Sequence, residues 1–199
     1  TPKMRFITGA ATSSIKMLSQ QLQTILQHFH EHFKNYCANI ESRLNIQLFW
    51  SIKNSEKLVH TLKKFKGESK IETYCADFES LFTNLPHKTV IDSIMYIVSL
   101  CFKNSGISNN FLNFKKGYFS YSHTPINGHI SFHVYEISEL LKYILDNSYI
   151  QFADNIYKQV KGIPQGNNAS PLMADLTLLA MEHAYIIRHK TEFTCKKFT

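Results

Sequence analysis

Residues 149–171 read YIQFADNIYKQVKGIPQGNNASP. Tyr149 to Phe152 and Ile156 to Val160 are two short runs of β-formers around Ala153-Asp154-Asn155, the pattern of a β-hairpin. The second run enters Gly162-Ile163-Pro164-Gln165-Gly166, a stiff loop bounded by glycines. Pro171 then stands where a first helical turn tolerates it. Leu172, Leu176, Leu179, Met181 and Ile186 continue a long apolar helix to about Ile187. A hairpin, a loop and a helix in immediate succession predict a mixed chain rather than a bundle or a sandwich.

Helical periodicity recurs upstream. Ile15, Leu18, Leu22, Ile25, Leu26, Phe29 and Phe33 predict an amphipathic helix to about Tyr36, with Thr12, Ser13 and Ser14 as cap candidates. Leu58, Val59, Leu62 and Phe65 predict a second helix from Ser55 that stops at Gly67, with Lys63, Lys64 and Lys66 interleaved. Further helices are expected over His87 to Lys103 and Val134 to Asp146. Arg5-Phe6-Ile7 reads as a strand end. Ile71 to Asp77 reads as a strand entering the core. Tyr118 to Ser131 reads as a loop or hairpin around Pro125-Ile126-Asn127-Gly128. The expected fold is α+β, a small antiparallel sheet covered by helices.

Composition narrows the class. The chain has 199 residues, 44% apolar and 19% charged, with 7 Gly and 5 Pro, which supports a packed core and excludes collagen-like or linker-rich chains. Its 4 Cys are too sparse for a disulfide scaffold, so a reducing intracellular compartment is the default. Cys37, Cys75, Cys101 and Cys195 read as small apolar core residues. No run of 18 apolar residues is present. The net charge of +7 favours an anionic partner, either nucleic acid or a charged membrane surface.

Two stretches carry chemistry. Asp77-Phe78-Glu79-Ser80-Leu81-Phe82-Thr83-Asn84-Leu85-Pro86 places a carboxylate before a turn. Mg²⁺ is a hard cation that takes carboxylate and carbonyl oxygens and shares substrate phosphates, so Asp77 and the Phe78 carbonyl are candidate ligands. In Gly162 to Pro171 the two glycines let backbone approach a ligand closely. A helix starting near Ser170 aims amide groups at that loop.

Taken together, Asp-x-x-x-x-Phe-Thr-Asn-Leu-Pro-His and Gly-Ile-Pro-Gln-Gly-x-x-x-Ser-Pro-Leu-x-Ala-Asp-Leu resemble the reverse transcriptase domain of retroelements, most like the Penelope-like, telomerase-related branch. Lys3-Met4-Arg5-Phe6-Ile7 resembles the family's fingers motif more weakly. The resemblance implies fingers over 1–70 and a partial palm over 71–199, cut before the Asp-Asp motif and thumb. It implies Asp77 as the first catalytic, metal-binding aspartate and Phe78 as a carbonyl ligand for Mg²⁺ or Mn²⁺. Phe82 matches the gate against a ribose 2′-hydroxyl. Gln165 and Gly166 match contacts to the incoming nucleotide, and Lys3 and Arg5 match contacts to its triphosphate. Gly162, Pro164 and Ser170 match template and primer contacts. The implied partners are an RNA template, a DNA primer and deoxynucleoside triphosphates, within the cell and in the nucleus if the element is eukaryotic.

The pattern is incomplete. No Asp-Asp pair occurs in the chain, and Asp175, its last aspartate, lies inside the expected final helix. This fragment alone is therefore expected to be inactive. A non-catalytic nucleic-acid-binding remnant or domesticated module is the rival expectation, and a helical protein-interaction domain is a third. His28 and His32 are spaced to share a helix face, and His129 and His133 have the same spacing. Without a Cys-x-x-Cys they read as solvated or core-edge residues rather than a zinc site. Ser170 lacks a Gly-x-Ser-x-Gly elbow and the 162–166 loop lacks Gly-Lys-Ser/Thr, which weakens hydrolase and NTPase readings.

Overall fold

A computed structural model describes residues 14–49, 51–52, 54–63, 74–107, 110–152 and 154–190. Among these are six helices and two antiparallel sheets, a mixed α+β arrangement.

Helix α1, Lys16–Leu44, runs well past the expected end at Tyr36. No Gly or Pro interrupts it. It stops at Asn45, which takes the left-handed conformation (φ 53°) and returns its N–H to the Glu41 carbonyl. The Glu41 carboxylate accepts the backbone N–H groups of Leu48 and Phe49, at 2.6 and 2.9 Å, and so fixes the exit of the chain. Ile15, not Ser14, is the N-cap, and it makes no side-chain capping bond. Leu22, Ile25, Leu26, Phe29 and Phe33 are buried along one stripe, as their spacing requires.

That stripe packs on α4 (His87–Asn104), α5 (Val134–Asp146) and α6 (Ser170–Arg188). Ile94, Ile97, Phe102, Leu141 and Leu176 close the common core. His133 caps α5 with a capping box. Its Nδ1 accepts the Tyr135 N–H at 3.2 Å, and its own N–H donates to Glu136 Oε2 at 2.7 Å. The short helices α2 (Ser55–Lys63) and α3 (Leu81–Asn84) complete the helical set. The apolar stripe of α2 is not core, because Leu58, Val59 and Leu62 are exposed. Lys64, Phe65, Lys66 and Gly67 lie outside the described residues. Among the described residues, no helix is long and apolar enough to cross a membrane.

The larger sheet is β1 (Phe111–Lys115), β2 (Tyr118–Ser122) and β3 (Ile130–His133), in the order β2-β1-β3. The first hairpin turns at Lys116 and Gly117, with φ of 50° and 87°, the conformation a two-residue hairpin needs. The expected turn at Pro125 to Gly128 belongs to the longer β2–β3 connection. Asn113, fully buried at the centre of β1, holds that connection down. Its side chain donates to Ser122 Oγ (2.7 Å) and accepts from Ser131 Oγ (2.6 Å) and the Ile126 N–H (3.3 Å). The opposite face meets α1, where His28 stacks on Phe119 at 4.4 Å.

The expected hairpin before the glycine loop is present as β4 (Tyr149–Phe152) and β5 (Asn155–Lys158). The strand expected to end near Asp77 is not formed over its described part. Residues 74–78 are irregular and exposed, with Tyr74 at 88%. β-forming side chains make a strand only where a neighbouring strand supplies partners, and among the described residues none pairs here. Ile71 to Thr73 lie outside the described residues, as do the Arg5 strand end and the 193–199 tail.

Candidate functional site

The two chemistry-bearing stretches meet in space. Ser80 adopts a left-handed φ of 59°, and its carbonyl accepts the N–H groups of Thr83 and Asn84 at 3.2 and 3.1 Å. This tight turn makes α3 and exposes the backbone of 82–85 to the loop that follows β5. The Gly162 N–H donates to the Leu85 carbonyl at 2.9 Å, and the Ile163 N–H donates to the Phe82 carbonyl at 2.6 Å. Lys161 Nζ reaches Asn84 Oδ1 at 3.5 Å.

Gly162 is the closest point of this junction. A Cβ there would sit 2.5 Å from the Phe82 carbonyl oxygen and 2.8 Å from Thr83 Cα. Its φ of 89° is a second reason for glycine. Gly162 thus makes a close approach to the chain's own backbone.

His87 adds a third strut. The Gly162 carbonyl can only accept, so His87 Nε2 carries the hydrogen of their 2.9 Å bond. His87 Nδ1 faces Asp146 Oδ1, at the end of α5, at 3.7 Å.

The rest of the loop is pinned from α1 and α6. Ser170 Oγ donates to the Pro164 carbonyl at 2.5 Å. Buried Asn167 is bonded through Oδ1 to Ser19 Oγ of α1. The Ala169 N–H donates to both acceptors, at 3.3 Å to Ser19 Oγ and 3.1 Å to Asn167 Oδ1. Pro164 and Ser170 are buried along with Gly162. These three hold the loop's shape. Gln165 is half-buried and Gly166 is exposed, with φ 96°.

Asp77 and Phe78 are both exposed, and Phe82 is half-buried. Asp77 offers one carboxylate and Phe78 one carbonyl, hard donors of the type that Mg²⁺ and Mn²⁺ accept alongside water and phosphate oxygens. Asp175 is otherwise engaged, with Oδ2 2.9 Å from Nε2 of buried His30. Among the described residues, no group of three His, Cys, Asp or Glu is placed to hold a metal ion. Lys3 and Arg5 lie outside the described residues.

On α6, buried His183 shares a 2.9 Å bond with the Tyr96 hydroxyl and packs against Phe33. Burial lowers its pKa. Cys37 and Cys101 are core residues as expected, whereas Cys75 is exposed. Burial pushes the Cys37 thiol up to about 12.

Sequence reasoning gave no role to His87, Asn167, Ser19 or Asn84. Their bonds cross between distant segments, and His87 and Gly162 are 75 positions apart. Local periodicity carries no trace of such pairs. Only the Pro-His ending of the first stretch hinted at one. No protein-family model, curated protein or solved structure matches this chain.

Proposed function

We propose that this chain is a piece of an RNA-directed DNA polymerase, a reverse transcriptase of the Penelope-like kind, with fingers over 1–70 and part of the palm over 71–199. One observation supports the reading above all. The two stretches that carry the resemblance are bonded backbone to backbone at Phe82, Leu85, Gly162 and Ile163. At Gly162 that junction leaves no room for a methyl group.

In this reading Asp77 and the Phe78 carbonyl hold a divalent Mg²⁺ or Mn²⁺. Such ions supply charge stabilisation to the attacking hydroxyl and the leaving pyrophosphate in phosphoryl transfer. Lys3 and Arg5 take up triphosphate charge, Arg5 as a forked donor. Phe82 excludes a 2′-hydroxyl. Gln165 and Gly166 pack against the nucleotide, on a loop whose shape Gly162, Pro164 and Ser170 maintain. With Asp77 as its one candidate metal carboxylate, the fragment binds primer–template without extending it.

The engagement of Asp175 by His30 favours one second reading, a non-catalytic nucleic-acid-binding module. Two measurements on the full chain separate the possibilities. Filter binding to an RNA–DNA primer–template duplex should weaken steeply between about 50 and 200 mM salt, because each neutralised phosphate releases counterions. No binding at low salt refutes both nucleic-acid readings and favours a protein-interaction domain. Calorimetric titration with Mn²⁺ should show weak binding that Asp77→Asn abolishes. Identical titrations for the two proteins leave only the non-catalytic module.

A further inference from the structure

A pocket of about 180 Å³ lies between α1 and the three-stranded sheet, on elements separate from the Asp77–Gly162 junction. The strand register sets its floor. Ile130, Phe114 and Phe119 are cross-strand partners and form one row over β3, β1 and β2, and Phe132 of β3 joins them. Gln21, Thr24 and Ile25 of α1 form the facing wall. Thr24 is the short side chain of that wall. Its hydroxyl donates to the Gln20 carbonyl of its own helix at 3.0 Å, so it brings little volume and no spare hydroxyl proton to the pocket.

The rings of the floor are already ordered. Phe119 stacks on His28, with centroids 4.4 Å apart, and meets Phe114 at 4.8 Å. His28 is held in turn by its 3.0 Å bond to the Tyr121 hydroxyl. An incoming ring therefore meets a preorganised wall and orders little on binding.

Size, charge and ring content together select the ligand class. An apolar cavity of about 150 Å³ stays dry and is enough to take a benzene ring. None of the seven lining residues is acidic or basic, so a charged guest would give up hydration without meeting a counter-charge. Aromatic rings that meet offset or edge-on gain beyond the area they bury, so three phenylalanines favour an aromatic guest over an aliphatic one of equal size.

We infer that this pocket binds an uncharged one-ring aromatic compound, its ring against Phe114, Phe119 and Phe132. A larger open lobe of about 570 Å³ shares Thr24 and Phe119 with the pocket and gives the compound a way in.

Calorimetry and NMR on the full chain test this with four probes of similar size: benzyl alcohol, cyclohexylmethanol, benzylamine and benzoate. Benzyl alcohol should bind tightest. Cyclohexylmethanol, although more apolar, should bind about threefold more weakly. Benzylamine and benzoate should each bind at least about fivefold more weakly, whatever the sign of their charge. Nuclear Overhauser contacts from the probe ring should fall on Phe114, Phe119 and Phe132 of the wild-type chain. Thr24→Phe, at an exposed helix position, and Ile130→Trp, from the sheet side, both fill the pocket and should abolish binding. No binding to the wild-type chain at millimolar benzyl alcohol overturns the inference. So does undiminished binding in either filled variant, or tighter binding of cyclohexylmethanol or of a charged probe. Contacts that fall instead on Leu58, Val59 and Leu62, the exposed apolar residues of α2, overturn it as well. Self-association of the chain that Ile130→Trp abolishes would assign the pocket to a second copy and not to a small molecule.

Discussion

Gly162 and Gly117 form a natural pair for testing the junction between the two stretches. Their φ angles are nearly equal, 89° and 87°. Around Gly117 there is nothing within 4 Å of a would-be Cβ, whereas at Gly162 the Phe82 carbonyl oxygen lies at 2.5 Å. Alanine at either site incurs the left-handed cost of about 1–2 kcal/mol. At Gly162 the methyl group must also push the loop away from α3. That breaks the bonds to Leu85 and Phe82, at about 0.5–1.5 kcal/mol each, and more where the buried group finds no new partner. The expected losses are therefore about 1–2 kcal/mol for Gly117→Ala and about 3–5 kcal/mol for Gly162→Ala. Urea unfolding followed by circular dichroism reads both, provided that the slope of the transition is unchanged. Equal losses in the two variants would refute the claim that residues 82–85 and 161–163 are in contact.

Other expectations concern the remaining struts and the buried titratable groups. Asn167→Ala removes the acceptor shared by Ser19 and Ala169 and should cost about 1–3 kcal/mol, a larger effect than Ser19→Ala in the same unfolding assay. His28 has a folded pKa of about 4 against an ordinary 6.5, so below pH 6.5 the unfolded chain binds a proton that the native chain refuses. Stability should fall as the pH drops from about 6.5 towards 4, and His28→Gln should flatten that decline by about 1–2 kcal/mol after allowance for the partly exposed ring. For the thiols, a maleimide pulse with peptide mapping should label exposed Cys75 quickly and leave buried Cys37 and Cys101 largely unmodified. Comparable labelling of Cys37 and Cys75 would refute the placement of Cys37 in the core.

Elements whose burial is one-sided were legible in the sequence. Helix α5 runs over the expected residues 134–146, and α4 extends one residue past its expected end. In both, an apolar stripe at helical spacing meets one core, so the pattern and the packing agree. The sheet was harder to read because β1 is covered on both faces. Leu112-Asn113-Phe114-Lys115 alternates apolar and polar, yet Asn113 is as buried as Leu112, so the polar position does not mark a solvent face. The error over the described residues Tyr74 to Asp77 has the opposite origin. There the side chains favour a strand, but a strand also needs a partner edge, which composition does not encode. The site was legible as two motifs but not as one object. The glycines at 162 and 166 announced unusual backbone, and both have positive φ. That Gly162 faces Phe82 and Thr83, and that His87 bonds its carbonyl, follows only from the fold.

The Ser19–Asn167 bond has a mechanical consequence. The glycine loop is fastened at one end to the 82–87 turn and at the other to α1 and the start of α6. A body held at both ends transmits displacement instead of absorbing it. Between those anchors Gly166 is exposed, with φ 96°. Movement of α1 along its axis therefore reaches the loop through Asn167. In that sense the 161–170 segment works as a lever, with its fulcrum at the Gly162 contact and its load point at Asn167.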